Sequence, residues 1–113
     1  MSATVANLPT FSSADWQDND TYAEDCTQEV GINRQTTITG VGTPVITRTD
    51  NKAIGSQDLA ISNITIFTGN LKFAWKGSGG IRGVGYIVKF PLTLASGDLI
   101  NRSVVIPIPQ FVG

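Results

Sequence analysis

The stretch Trp75–Ile106, WKGSGGIRGVGYIVKFPLTLASGDLINRSVVI, decides the fold. A strand runs into a glycine turn, a long strand follows, Ala95-Ser96-Gly97-Asp98 reverses it, and a last strand closes the unit. Side chains of a strand alternate between two faces. Tyr86, Val88, Phe90, Leu92 and Leu94 therefore share one face, and Ile87, Lys89, Pro91 and Thr93 share the other. Val104 and Ile106 alternate in the same way with Ser103, Val105 and Pro107. Pro91 has no amide to give to a ladder, so an edge or a bulge is expected beside it. The glycines Gly77, Gly79, Gly80, Gly83 and Gly85 supply positive φ, and the expectation is a tight hairpin. They do not form a phosphate cradle, which needs a helix N-terminus behind the loop; a strand follows here.

Working back from that stretch, Leu71, Phe73 and Trp75 alternate with Lys72, Ala74 and Lys76 as in a half-buried strand. Leu59–Phe67 alternates too, but its phase changes near Asn63, which predicts a bulge there. Thr36–Val41 and Val45–Thr49 are β-branched segments, the second entered through Pro44. Asp50-Asn51-Lys52 and Thr68-Gly69-Asn70 carry turn chemistry, since Asp and Asn bond their own backbone and tolerate left-handed geometry. Thr21–Ile32 reads either as one helical turn ended by Gly31 or as a short edge strand. Several short strands about ten residues apart argue a sandwich.

A chain of 113 residues is one domain's length, and at this size it buries roughly two thirds of its unfolded surface. Hydrophobic residues make up 41% and charged residues 15%, a balance that opposes wholesale disorder. No apolar run approaches the ~20 residues a membrane-spanning helix needs. Met1–Thr10 lacks the basic start and apolar core of a secretory leader, so synthesis in a cytoplasm is expected. Charge is divided along the chain. Residues 1–33 hold Asp15, Asp18, Asp20, Glu24, Asp25 and Glu29 and no base. The remainder sets Asp50, Asp58 and Asp98 against all eight Lys and Arg, so −6 and +5 give the net −1. The acidic segment is expected to lie on its own basic face, to reach a neighbouring copy, or to be a solvated loop.

Catalytic chemistry finds little purchase. The chain has no histidine, which removes the commonest general base and transition-metal ligand. Cys26 sits between Asp25 and Glu29, where negative charge disfavours a thiolate, and as the one cysteine it forms no internal disulfide. The carboxylates Asp15, Asp18, Asp20, Glu24 and Asp25 offer oxygen ligands but lack the ordered spacing of a calcium loop. Trp16, Tyr22, Trp75 and Tyr86 are candidates for stacking on sugars; the alternation around Trp75 and Tyr86 favours core packing. Arg82 and Lys76 flank the glycine turn without forming a nucleic-acid stripe. No cofactor, catalytic residue or metal ligand is expected.

Phe73-Ala74-Trp75, the Ser78–Gly80 turn, Gly83-Val84-Gly85-Tyr86, Ala95-Ser96-Gly97-Asp98 and Asn101-Arg102-Ser103 together resemble a family of small virion proteins of tailed bacteriophages. These are fiber–tail adaptor or head–neck accessory proteins with an immunoglobulin-like sandwich. The chain departs from the family pattern at Lys76-Gly77, which interrupts the turn spacing, at Asp98, where a basic residue is usual, and at Asp18-Asn19, where Asp-Pro is usual.

Residues 1–20 are polar and without a period and are expected to form an N-terminal arm; the strand pattern and the resemblance together lead to the expectation of an all-β, immunoglobulin-like antiparallel β-sandwich over residues 21–113. The resemblance implies a non-enzymatic virion protein, made in the host cytoplasm and working as a multi-copy adaptor or ring that links fibers to the tail or neck. The expected partners are tail, neck, fiber or major capsid proteins, with no nucleic acid and no membrane. Capsid decoration on the head surface and a carbohydrate-binding adhesin are the alternatives. Leu8, Phe11, Asp15, Trp16, Asp18, Asp20 and Arg82 are the expected interaction residues. The expected core is Ile61, Ile64, Phe73, Trp75, Tyr86, Val88, Phe90, Leu92, Val104 and Ile106.

Overall fold

The computed structural model describes residues 16–110. Two antiparallel sheets pack face to face. One has strand order β1 (Asp20–Asp25), β5 (Lys72–Ser78), β4 (Ala60–Ile66). The other centres on β6 (Gly85–Leu94), with β7 (Leu99–Pro107) along one side and β2 (Ile38–Val41) and β3 (Val45–Arg48) end to end along the other. The fold is an all-β sandwich, as the alternation predicts.

The inner face of β6 carries the core. Tyr86, Val88, Phe90, Leu92 and Leu94 are all buried, as are Val104 and Ile106 from β7 and Phe73 and Trp75 from β5. Phe73 meets Phe90 edge to face with centroids 5.1 Å apart, and Trp75 lies 5.7 Å from the same ring. Each large side chain so enclosed contributes about 1.5–3 kcal/mol before entropy is counted. Ile61 and Ile64, expected in the core, are only partly buried against it, because β4 is the outer strand of its sheet. Ile38, Leu59, Val30 and Ile100 complete the interior.

Two local expectations hold in detail. Ser62 pairs with Lys76 and Thr65 with Ala74, so β4 uses three steps where β5 uses two. The extra residue sits at Asn63–Ile64, and Asn63 takes φ 52°. Pro91 offers its carbonyl to the amide of Gly42, in the break between β2 and β3. Its missing amide points toward the same break, where no ladder bond is lost.

One expectation fails. Gly79, Gly80 and Gly83 do have positive φ, but they do not close a hairpin. β5 and β6 belong to different sheets, so the glycines carry the chain across the sandwich. Alternation marks each strand but not the sheet it joins. Residues 21–32 satisfy both alternatives: β1 is an edge strand, and Thr27–Ile32 forms one wide helical turn in which Asn33 donates five residues back to Gln28. That turn runs through Gly31 rather than ending at it.

Candidate functional site

The two ends of the sandwich are each tied by a buried carboxylate. Glu24, on the inner face of β1, accepts from Trp75 Nε1 at 3.1 Å and from Arg102 Nε at 3.2 Å. Arg102 points inward from β7, so this cluster bridges the two sheets. Cys26 lies beside it, 1% exposed, and burial pushes its thiol up to about 11 against the opposing pull of Arg102. It is a packing residue and a poor nucleophile.

At the opposite end Asp58 accepts from Tyr86 Oη at 2.5 Å, from the Gly55 amide at 2.7 Å and from Arg48 Nη1 at 3.2 Å. Arg48 also reaches Asp50 at 2.7 Å. These contacts latch the segment between β3 and β4 onto the body. The Tyr86 bond first, then the Gly55 amide, holds the Asp58 carboxyl below its usual range. Burial, then the bond to Asp58, raises the Tyr86 phenol.

The expected interaction residues divide into three groups. Leu8, Phe11 and Asp15 lie outside the described residues. Trp16, Asp18 and Arg82 come together with Gly79, Gly80 and Ile108 around a half-open recess of about 190 Å³. Asp20 opens β1 at an exposed position. Trp16 is buried, 3% exposed. It stacks on Tyr22 at 5.4 Å, and Tyr22 stacks on Trp75 at 4.9 Å. The stack fits because Gly77 has no Cβ; one there would stand 2.6 Å from the Trp16 ring.

The residues around Trp16 make further contacts with the sandwich. Asp18 accepts from the Gly79 amide at 2.8 Å, the Asn19 amide bonds the Gly77 carbonyl, and Gln17 holds Tyr22 Oη. Residues 16–20, read as the end of the arm from sequence, make these contacts with the sandwich. A lone Trp among polar residues carried no periodic signal; Gly77, across the sheet from β1, was the unread half of the pair.

The described carboxylates diverge rather than converge. Asp18 caps the glycine segment, Asp20 accepts from Thr21, Glu24 turns inside, and Asp25 faces Lys72 at 3.9 Å. Among the described residues no three acidic, histidine or cysteine side chains form a metal-holding group. Glu24–Arg102 and Asp25–Lys72 place part of the acidic segment on the chain's own basic residues, the first of the three expectations for it. Of the four aromatics considered for sugar stacking, Trp16, Trp75 and Tyr86 are buried and Tyr22 is half-buried between two rings.

No protein-family model, curated protein or solved structure matches the chain.

Proposed function

We propose that this chain is a non-enzymatic structural protein of a bacteriophage particle. In this reading it is an immunoglobulin-like, multi-copy adaptor at the tail or neck that joins fibers to the particle. The observation that carries the reading is the run of motifs from Phe73 to Ser103. Those motifs fall on β5, the glycine crossing, β6 and β7, which include the central strand of each sheet. The described buried ionisable groups support a spacer: Glu24, Arg102, Asp58 and Tyr86 are engaged in holding sheets and loops together. The adaptor works by shape, its neighbours being gripped by the N-terminal segment and by open sheet edges.

Immunogold imaging of purified particles of the source phage tests this. Gold at the neck or tail is the expected result. Gold over the head would replace the adaptor with a decoration protein. No gold, with the epitope shown to be accessible, would end the virion reading and favour a glycan-binding role, to be checked by glycan binding of the isolated protein.

A further inference from the structure

Asp58 sits where two loop segments meet. One lies between β3 and β4, and its residues 50–57 are all exposed. The other is the glycine crossing, residues 79–85. The two are in close backbone contact. The Gly80 amide donates to the Gln57 carbonyl at 3.2 Å, and a Cβ on Gly79 would stand 2.7 Å from the Asp58 carbonyl oxygen. Tyr86 reaches both segments from β6. Its buried hydroxyl donates to Asp58 at 2.5 Å and accepts from the Ile81 amide at 3.0 Å.

Both oxygens of the Asp58 carboxylate are filled by donors. Oδ1 accepts from Tyr86 Oη and Arg48 Nη1, and Oδ2 accepts from the Gly55 amide. An ionised carboxylate only accepts, whereas a protonated one must also donate. A proton on Oδ2 opposes the Gly55 amide. A proton on Oδ1 opposes Arg48 and turns the Tyr86 hydrogen away. Arg48 has a second partner in place, since its Nη2 and Nε hold Asp50 at 2.7 and 3.0 Å, so it leaves Asp58 without being stranded. The charged and titratable groups that act on Asp58 are Arg48 from β3, Asp50 from the turn after it and Tyr86 from β6, with Lys52 acting in turn on Asp50. On the far side of the crossing, Asp18 caps the Gly79 amide, and Arg82 lies on the same recess.

We propose that Asp58 is an acid-released latch: taking up one proton frees residues 50–57 and the glycine crossing as a unit and leaves the two sheets intact. The direction agrees with the environment of the group, which favours the charged form through the Tyr86 bond first and the Gly55 amide second. The sheets stay because β5 and β6 keep their ladders to β1, β4 and β7, none of which runs through Asp58. Release alters the surface at this end of the sandwich, since Gly79 and Gly80 wall the half-open recess shared with Trp16, Asp18, Arg82 and Ile108. The device belongs to the fold and is independent of what the chain assembles with.

Amide exchange followed by NMR on the full chain tests it, with a titration from about pH 7 to about pH 2 corrected for the intrinsic pH dependence of exchange. Protection at Gly55, Gly80 and Ile81 is expected to fall about tenfold or more with one common midpoint below about 3.9. Val88 and Val104, paired in the β6–β7 ladder, are expected to keep theirs. Asp58→Asn cannot gain the proton, so its three loop amides are expected to be poorly protected at neutral pH and to show no midpoint. Asp18→Asn changes the other carboxylate at this end and is expected to keep the response of the unaltered chain. Loss at Val88 and Val104 with the same midpoint would mean that the whole fold opens, and would overturn the proposal. So would a response at Gly55 without Gly80 and Ile81, a response abolished by Asp18→Asn, or protection unchanged across the titration.

Discussion

Glu24 and Asp58 are carboxylates enclosed by the fold, and each is held by named donors. Glu24→Ala removes the carboxylate that Arg102 and the Trp75 indole share between the sheets. Removing one member of a buried pair costs about 3–5 kcal/mol. Thermal unfolding is expected to show that loss, and the double change Glu24→Leu with Arg102→Leu is expected to recover most of it. At the other end, the lowered Asp58 carboxyl means the fold favours the charged form. That contribution is whole above the ordinary carboxylate value of about 3.9 and fades as pH falls through the lowered folded value. Tyr86 has the opposite sign: its raised phenol favours the neutral form, so its share is whole below about 10 and fades as pH rises through the folded value. Melting temperature against pH is expected to decline on both sides, with Asp58→Asn flattening the acid limb and Tyr86→Phe the alkaline one.

At the scale of elements, the bulge in β4 was legible because one residue too many breaks a period of two, and Asn63 tolerates the left-handed geometry this needs. Asn63→Gly is expected to leave stability unchanged or slightly raised. Asn63→Val places a β-branched residue at positive φ and is expected to cost about 1–2 kcal/mol by chemical denaturation. The break opposite Pro91 was legible for the same reason, as a proline lacks the donor that a continuous partner strand would use. The glycine crossing was misread because positive φ serves a hairpin and an inter-sheet arch equally well. Only the partners of β5 and β6 distinguish the two, and those partners lie far away in sequence: Tyr22 against Trp75, and Ile46 against Val88.

For the whole molecule, the burial of Trp16 makes the boundary between arm and body open to experiment. A chain lacking residues 1–20 loses a buried ring and the Asp18 cap on the glycine segment. It is expected to be about 3–5 kcal/mol less stable than one lacking residues 1–15, the usual range for deleting a buried Trp. Equal melting temperatures for the two truncations would keep the boundary at residue 20, and a difference would move it to residue 15. Folding is expected to be slow for the chain's length, in milliseconds to seconds, because β1–β5 and β2–β6 close over long separations before either is rewarded. Stopped-flow fluorescence of Trp75 and Trp16 measures it.

The sequence by itself determined the strands, their inward faces and the interruptions at Asn63 and Pro91. Each of these depends on a local period or on the backbone limits of one residue. Tertiary structure alone decided that the glycine run crosses the sandwich, that Glu24 and Arg102 meet inside it, and that Trp16 rests on Gly77. These depend on which strands become neighbours, and that choice is made by burial of side chains distant in the chain, which leaves no mark at any one position.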